Sequence, residues 1–90
     1  MAIVKFTSAL KRFYPDLQPL EIQGDTVAEI VKNINHQHPG LSDYLLDDQG
    51  KLRQHVNIFI GNQLVRDKEK LQDVVDEKDE IFIMQALSGG

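Results

Sequence analysis

The segment GDTVAEIVKNI, residues 24–34, carries both a helix start and the apolar stripe of an amphipathic helix. Thr26 and Glu29 have the spacing of a capping box, in which each side chain bonds the backbone N–H of the other residue. Apolar residues then recur at i, i+3, i+4 and i+7. They are Val27, Ile30, Val31 and Ile34. Pro39-Gly40 ends the pattern, so the segment predicts a helix that must bury one face against the rest of the chain.

Five short segments outside the helix alternate between apolar and polar residues or are rich in β-branched residues, which is typical of strands. They are Ala2–Phe6, Leu17–Gln23, Val56–Ile60, Gln63–Val65 and Glu80–Ala86. Pro19 confines the second segment to a sheet edge, and Gly61-Asn62 suits a hairpin turn between the third and fourth. Because the helix has no other surface to pack on, we expect a two-layer α+β domain with a mixed sheet of four or five strands on one main helix.

Weaker signals lie between these elements. Leu41–Leu46 predicts a short second helix capped by Ser42 or Asp43, and the apolar residues within 71–75 suggest one further helical turn. The remaining polar segments are read as turns or loops, at residues 7–15, 47–51 and 76–79.

Length and composition restrict the chain to one small domain and exclude several classes of protein. Its 90 residues carry a net charge of −4, and the lysines and arginines are scattered rather than grouped into the basic patch of a nucleic-acid-binding protein. No segment approaches the ~18 apolar residues of a membrane span. The absence of cysteine excludes a disulfide framework and a thiolate zinc site, and with no recognisable secretory signal it favours a cytoplasmic location. So small a core also leaves little room for a cofactor.

The last four residues, Leu87-Ser88-Gly89-Gly90, form the segment with the clearest chemistry. Glycines lack Cβ, so they can enter a narrow enzyme slot and leave the final carbonyl uncrowded. A carboxylate acylates poorly until its oxygen becomes a leaving group; adenylation by ATP supplies one, and a sulfur nucleophile then displaces AMP. We therefore predict a folded domain over 1–86 and a flexible tail over 87–90, with the Gly90 carboxylate as the reactive group and Leu87, Ser88 and Gly89 giving access. The alternative is that terminal glycines merely fray.

Three segments together match the pattern of a known family. They are Gly24-Asp25-Thr26-Val27, the strand Val56–Ile60, and the stretch from Asp79-Glu80-Ile81 through Ala86-Leu87-Ser88-Gly89-Gly90. With them the chain resembles the MoaD/ThiS family of ubiquitin-like sulfur carriers along nearly its whole length, and Gly50-Lys51-Leu52-Arg53 is similar to the CysO-like branch. The resemblance implies a β-grasp (ubiquitin-like) fold. One departure is Gln85, where the family often has a proline that stiffens the exit of the tail.

The resemblance also implies a function. An E1-like, ATP-dependent activating enzyme adenylates Gly90, and a sulfurtransferase or other sulfur donor converts the adenylate to a thiocarboxylate. A sulfur-accepting synthase then takes the sulfur for cysteine, molybdopterin, thiamine or thiolated tRNA. The protein is a carrier rather than an enzyme, with no catalytic residues, metal or cofactor of its own. Two alternatives stay open: a ubiquitin-like modifier joined to lysines through Gly90, and a plain interaction domain with an incidental tail.

Three side chains are candidates for binding partners. Phe59, Phe82 and Met84 fall on the strand faces opposite the β-branched residues, so they lie on the outer face of the sheet if the β-branched set packs on the helix. An exposed apolar cluster there often marks a partner site. The alternative is that Leu41, Leu45 or a loop covers it.

Other charged and imidazole groups have two interpretations each. The acidic cluster within 76–80 is either a solvated turn or a contact for basic residues of the activating enzyme. His36 and His38 are either solvated or metal ligands, and the carboxylates at 47–48 belong to a turn rather than to a general acid–base pair. The basic and aromatic residues 11–14 either contact single-stranded nucleic acid or form a surface loop, and the acidic net charge favours the loop.

Overall fold

Five strands and two helices make up the computed structural model, which describes residues 1–7 and 18–85. In chain order they are β1 (Ala2–Phe6), β2 (Leu20–Ile22), α1 (Val27–Gln37), α2 (Leu41–Leu45), β3 (Val56–Ile60), β4 (Gln63–Leu64) and β5 (Glu80–Gln85). The strands form one sheet in the order β2-β1-β5-β3-β4, in which β1 and β5 are parallel and the other neighbours antiparallel. This is the predicted α+β architecture, with five strands. Most of the predicted 7–15 loop falls outside the described residues.

Short hairpin strands form both edges of the sheet. β2 pairs with β1 and lies at one edge, the position that Pro19 predicts. β3 and β4 are joined through Gly61 and Asn62, and Gly61 has a φ of 61°, which glycine adopts without a Cβ clash. The predicted return strand ends at Leu64 rather than Val65.

The apolar stripe of α1 faces the inner side of the sheet. Its four residues are each at most 3% exposed, which confirms the face predicted from their spacing. They belong to one buried cluster with the inward strand residues, among them Val4, Phe6, Ile22, Val56, Ile58, Ile81 and Ile83. Leu41 and Leu45 of α2 are fully buried in the same core. The sheet and α1 therefore form the two predicted layers, and the strand faces turned away from α1 remain as a second surface.

The N-terminus of α1 shows a variant of the predicted capping box. Thr26 Oγ1 accepts the N–H of Glu29 at 3.3 Å, as predicted. The Glu29 carboxylate accepts the N–H of Asp25 at 2.8 Å, one residue before the predicted donor. The side chain still caps the turn, but it reaches past Thr26 to the preceding peptide.

A loop far along the chain caps the same turn. The N–H groups of Val27 and Ala28, which have no partner within a helix, donate to the carbonyls of Asp73 at 3.1 Å and Leu71 at 2.8 Å. Leu71 has a φ of 56°, a left-handed conformation uncommon for residues other than glycine. The predicted helical turn at 71–75 is therefore wrong, because the Leu71 carbonyl and the Val75 N–H, which such a turn would bond to each other, bind Ala28 and Asp25 instead.

Two carboxylates organise this loop. Asp73 accepts the N–H groups of Arg66 and Asp67 at 2.9 and 2.8 Å. Asp67 accepts three further backbone N–H groups, from Glu69, Lys70 and Gln72. The loop buries Leu71 and Val75 in the core and leaves Val74 79% exposed. The spacing of apolar residues in 71–75 thus reflects two side chains, Leu71 and Val75, that anchor the loop in the core separately, rather than one face of a helix.

Asp67 gives the fold a specific acid sensitivity. The N–H of Lys70, followed by those of Gln72 and Glu69, holds the pKa of Asp67 below its ordinary value of 3.8. A lowered folded pKa means that the ionised form stabilises the fold above pH 3.8 and that this contribution is lost as the pH falls through the folded value. We expect Asp67→Asn to be less stable than the wild type at pH 7, with the difference shrinking below about pH 4. Urea unfolding at a series of pH values measures the difference in the free energy of unfolding between the variant and the wild type. A difference that does not change with pH, or an equal effect of Asp48→Asn, would contradict the prediction.

α2 starts without a capping side chain of its own. The helix covers Leu41–Leu45, and its N-cap is Gly40 in a left-handed conformation with a φ of 92°. Asn35 Oδ1, from the last turns of α1, accepts the N–H of Gly40 at 3.0 Å and that of Ser42 at 3.2 Å. The predicted cap by Ser42 or Asp43 is wrong, because a side chain of the preceding helix takes the donors that such a cap would bind.

Candidate functional site

The tail follows β5 at one end of the sheet, which we call the tail end. Four predicted site residues lie outside the described part of the chain: Leu87, Ser88, Gly89 and Gly90. β5 ends at Gln85, opposite Val56 of β3, and Thr7 lies beside it, with its N–H donating to the Ile83 carbonyl at 3.2 Å. Residues 86–90 span at most about 18 Å when fully extended. A partner that holds Gly90 must therefore also approach this end of the sheet.

The outer face of the sheet exposes the apolar side chains that the sequence analysis selected. Phe82 and Met84 on β5 are 37% and 40% exposed, and Phe59 is half-buried. Phe59 and Phe82 are directly paired across β3 and β5, which brings their Cβ atoms to roughly 5 Å. Leu41 and Leu45, the alternative cover, are buried in the core on the other side of the sheet.

Two further residues belong to this surface and were missed from sequence. Ile3 on β1 is 38% exposed and Leu64 on β4 is 41% exposed. The register places Leu64 opposite Phe59, which is itself opposite Phe82, so an apolar row crosses three strands. Alternation along β1 puts Ile3 on the opposite face of the sheet from the buried Val4, so the sequence did contain a signal for Ile3. We call the five side chains the outer-face cluster: Ile3, Phe59, Leu64, Phe82 and Met84.

Acidic side chains lie at the other end of this face, which we call the distal end. Glu21 on β2 and Glu80 on β5 are paired with Ile3 from either side, and both are exposed. The predicted acidic cluster forms the turn that leads into β5, where the Asp76 N–H donates to Asp79 Oδ2 at 2.9 Å. Since β5 has six residues, about 17 Å separate this turn from the start of the tail. The cluster precedes the tail in sequence but lies at the opposite end of the sheet.

The other sequence candidates do not assemble into a site. Among residues 1–7 and 18–85, no group of three metal-ligating side chains comes together. His36 and His38, near the end of α1, are therefore not joined by a third ligand in this part of the chain. Asp47 Oδ1 accepts the N–H groups of Gln49 and Lys51, and these bonds, chiefly that of Lys51, lower its pKa. It is thus a turn residue, as predicted. The segment 11–14 lies outside the described residues, and within them no helix has the length and hydropathy to cross a bilayer.

Comparison with known proteins identifies the family. The model of the ThiS family matches residues 4–90, nearly the whole chain. The chain belongs to the ThiS family. Among its relatives, the sulfur carrier protein CysO of Mycobacterium tuberculosis and of Mycobacterium bovis is 30% identical over 69 residues, which cover 74% of each chain. The resemblance to the MoaD/ThiS family and to its CysO-like branch is confirmed.

Solved structures have the same fold as this ThiS-family protein. A chain in the crystal structure of the Amycolatopsis orientalis BexX/CysO complex matches it with a TM-score of 0.85 and 26% identity, covering 100% of both chains. Mycobacterium tuberculosis CysO matches with a TM-score of 0.83 and 24% identity, covering 97% of this chain and 100% of its own. SAMP1 of Haloferax volcanii matches with a TM-score of 0.77 and 22% identity, covering 99% and 98%. The β-grasp prediction is confirmed, and the last two share too little sequence to bear on more than the fold.

Proposed function

We propose that this ThiS-family protein is a sulfur carrier whose Gly90 carboxylate is adenylated and then converted to a thiocarboxylate. The observation that carries the proposal is the family match, which runs from residue 4 through Gly90 and so includes the terminal glycines. The relatives that are 30% identical to this chain over 69 residues are sulfur carrier proteins. The chemistry accordingly belongs to the partners, and this chain supplies the reacting carboxylate.

The reaction proceeds in an adenylyl-transfer step followed by an acyl-transfer step. The Gly90 carboxylate attacks the α-phosphorus of ATP within an E1-like activating enzyme, which forms an acyl-adenylate and releases pyrophosphate. A sulfurtransferase or other donor then provides a hydrosulfide equivalent, whose sulfur attacks the acyl carbon while AMP leaves. The resulting thiocarboxylate passes its sulfur to an accepting synthase in the assembly of cysteine, molybdopterin, thiamine or thiolated tRNA. Glycines at 89 and 90 suit this role because they put no Cβ near the attacked carbon.

The body of the domain supports the tail by offering one surface to successive partners. Residues 1–86 form the domain and 87–90 the flexible tail in this proposal, with Ser88 and Leu87 setting its reach. Phe59, Phe82 and Met84 bind the partners, since an exposed apolar cluster on an otherwise polar domain is typical of an interaction site. The cysteine-free composition supports a cytoplasmic location.

The same adenylate supports a second candidate function. If a lysine amine attacks the acyl carbon instead of sulfur, the product is an isopeptide and the protein acts as a ubiquitin-like modifier. The terminal Gly89-Gly90 pair keeps this candidate open, because it presents the same acyl carbon to either nucleophile. The likeness to SAMP1, called small archaeal modifier protein 1 in a second structure, bears on the fold alone.

Intact-mass spectrometry of the product tests the proposal. The purified chain is incubated with ATP, sulfide and the E1-like enzyme of its own organism, and a parallel sample lacks ATP. We expect one oxygen of Gly90 to be exchanged for sulfur only when ATP is present. Tryptic peptides that join Gly90 to a lysine in a cell lysate would instead support the modifier. The same enzyme is assayed in parallel with another carrier protein, where release of pyrophosphate shows that it is active. If the enzyme is active and neither product forms on this chain, the proposal is wrong.

A further inference from the structure

The outer face is charged at its distal end. Glu21 and Glu80 lie on either side of Ile3 in the paired strands, and both project from the outer face because Ile3 does. Lys5 is the next residue of β1 on the same face as Ile3. Its Nζ lies 3.6 Å from Glu80 Oε1, so it offsets part of this negative charge. The turn at 76–79 adds more carboxylates directly behind Glu80. The outer-face cluster therefore has an acidic border on this side.

The tail end of the same face has no such border in the described part of the chain. Asn57 of β3 and Met84 of β5 are the outward-facing residues nearest this end. They are paired with each other, and neither carries a charge. Gln54 and His55, exposed in the turn before β3, add no carboxylate. Within residues 1–7 and 18–85, the outer face thus has a direction: it is acidic at the distal end and carries no carboxylate at the tail end.

Apolar contact does not by itself fix this direction. Burial of the outer-face cluster is non-directional, whereas charges at the rim of an interface set its register and speed the encounter. The co-substrate of activation is ATP, a polyanion that must lie next to Gly90. A carrier docked the other way round would bring its acidic end towards the triphosphate, where like charges repel. The observed order keeps the carboxylates of the sheet face a strand's length away from the start of the tail.

We infer that the activating enzyme binds this carrier through an apolar surface bordered on one side by lysine or arginine, and that this basic border meets Glu21 and Glu80. The inference rests on the proposed function and adds the partner's surface chemistry and the docking direction. Glu21 and Glu80 act as orienting residues, while Phe82 and its neighbours supply the apolar contact.

ATP–pyrophosphate exchange by the E1-like enzyme of the same organism, measured against carrier concentration, tests the inference. We expect Glu21→Lys combined with Glu80→Lys to raise the KM for the carrier roughly 10-fold at low salt, with the rate at saturating carrier retained. The salt dependence of kcat/KM should reverse, because the two lysines would face a basic border and salt would then screen a repulsion instead of an attraction. Phe82→Ser should raise KM at every salt concentration, since apolar contact is not screened.

Asp48→Lys combined with Glu69→Lys is the matched control. It makes the same change in net charge at exposed positions in loops outside the sheet, and we expect its KM to stay near that of the wild type. Circular dichroism melts verify that each variant folds, and Met84→Ser replaces Phe82→Ser if the latter does not. Equal KM and salt dependence in the two lysine double variants would overturn the docking direction. No exchange with the wild-type carrier would overturn the proposed function itself, which separates the two failures.

Discussion

One alanine appended after Gly90 is expected to abolish ATP–pyrophosphate exchange while leaving the fold unchanged. The added residue moves the carboxylate by up to about 3.6 Å and puts a Cβ beside the attacked carbon. Misplacement of a reacting group by about 1 Å can already cost 100-fold in rate, so we expect a loss of at least that size. Exchange assays with the E1-like enzyme measure the loss, and a thermal melt verifies the fold.

Two comparisons make the result specific to the terminal carboxylate. Deletion of Gly89 and Gly90 should be as inactive as the extension, since it withdraws the carboxylate from the enzyme. Lys32→Ala, an exposed change on α1, should keep full exchange. Exchange retained by the extended chain would mean that the reacting group is not the Gly90 carboxylate.

Ile30→Ala and Ile34→Ala are expected to give the largest losses of stability. Both side chains are 0% exposed in the core beneath the sheet, and truncation of such a residue costs about 2–5 kcal/mol. A chain of this length has a total free energy of unfolding of roughly 5–13 kcal/mol. Either change therefore removes a large part of it, and the melting temperature should fall by at least about 10 °C.

Urea titrations and calorimetric melts measure these losses. Lys32→Ala is again the control, because it is a neighbour on the exposed side of α1 and surface changes stay within about 0.5 kcal/mol. An Ile30→Ala variant that melts like Lys32→Ala would show that the stripe does not face the core.

The local pattern of the sequence was sufficient for the outer-face residues on a single strand. Ile81 and Ile83 alternate with Phe82 and Met84, so the face of each side chain follows from the period of two. Leu64 was missed, because its place in the cluster depends on the register between β3 and β4. Pairing across strands is a contact between separate segments, which no periodicity within one segment reports.

The acidic turn shows the same limit. It immediately precedes the strand that leads to the tail in sequence, but that strand carries the chain from one end of the sheet to the other. The parallel pairing of β1 with β5 then brings Glu80 beside Ile3 rather than beside the tail. The pairing of strands in the sheet, rather than the order of residues in the chain, therefore decides which end of the outer face is acidic.

The sequence by itself determined the helix, its buried stripe and the strand faces, since all of these follow from the spacing of apolar residues within one segment. The tertiary structure alone decided how the loop 65–79 is used. There Leu71 takes a left-handed conformation and, with Asp73, caps α1. The physical reason is that the backbone N–H groups at the start of a helix donate to any carbonyl brought within reach, and only the folded chain brings that loop there.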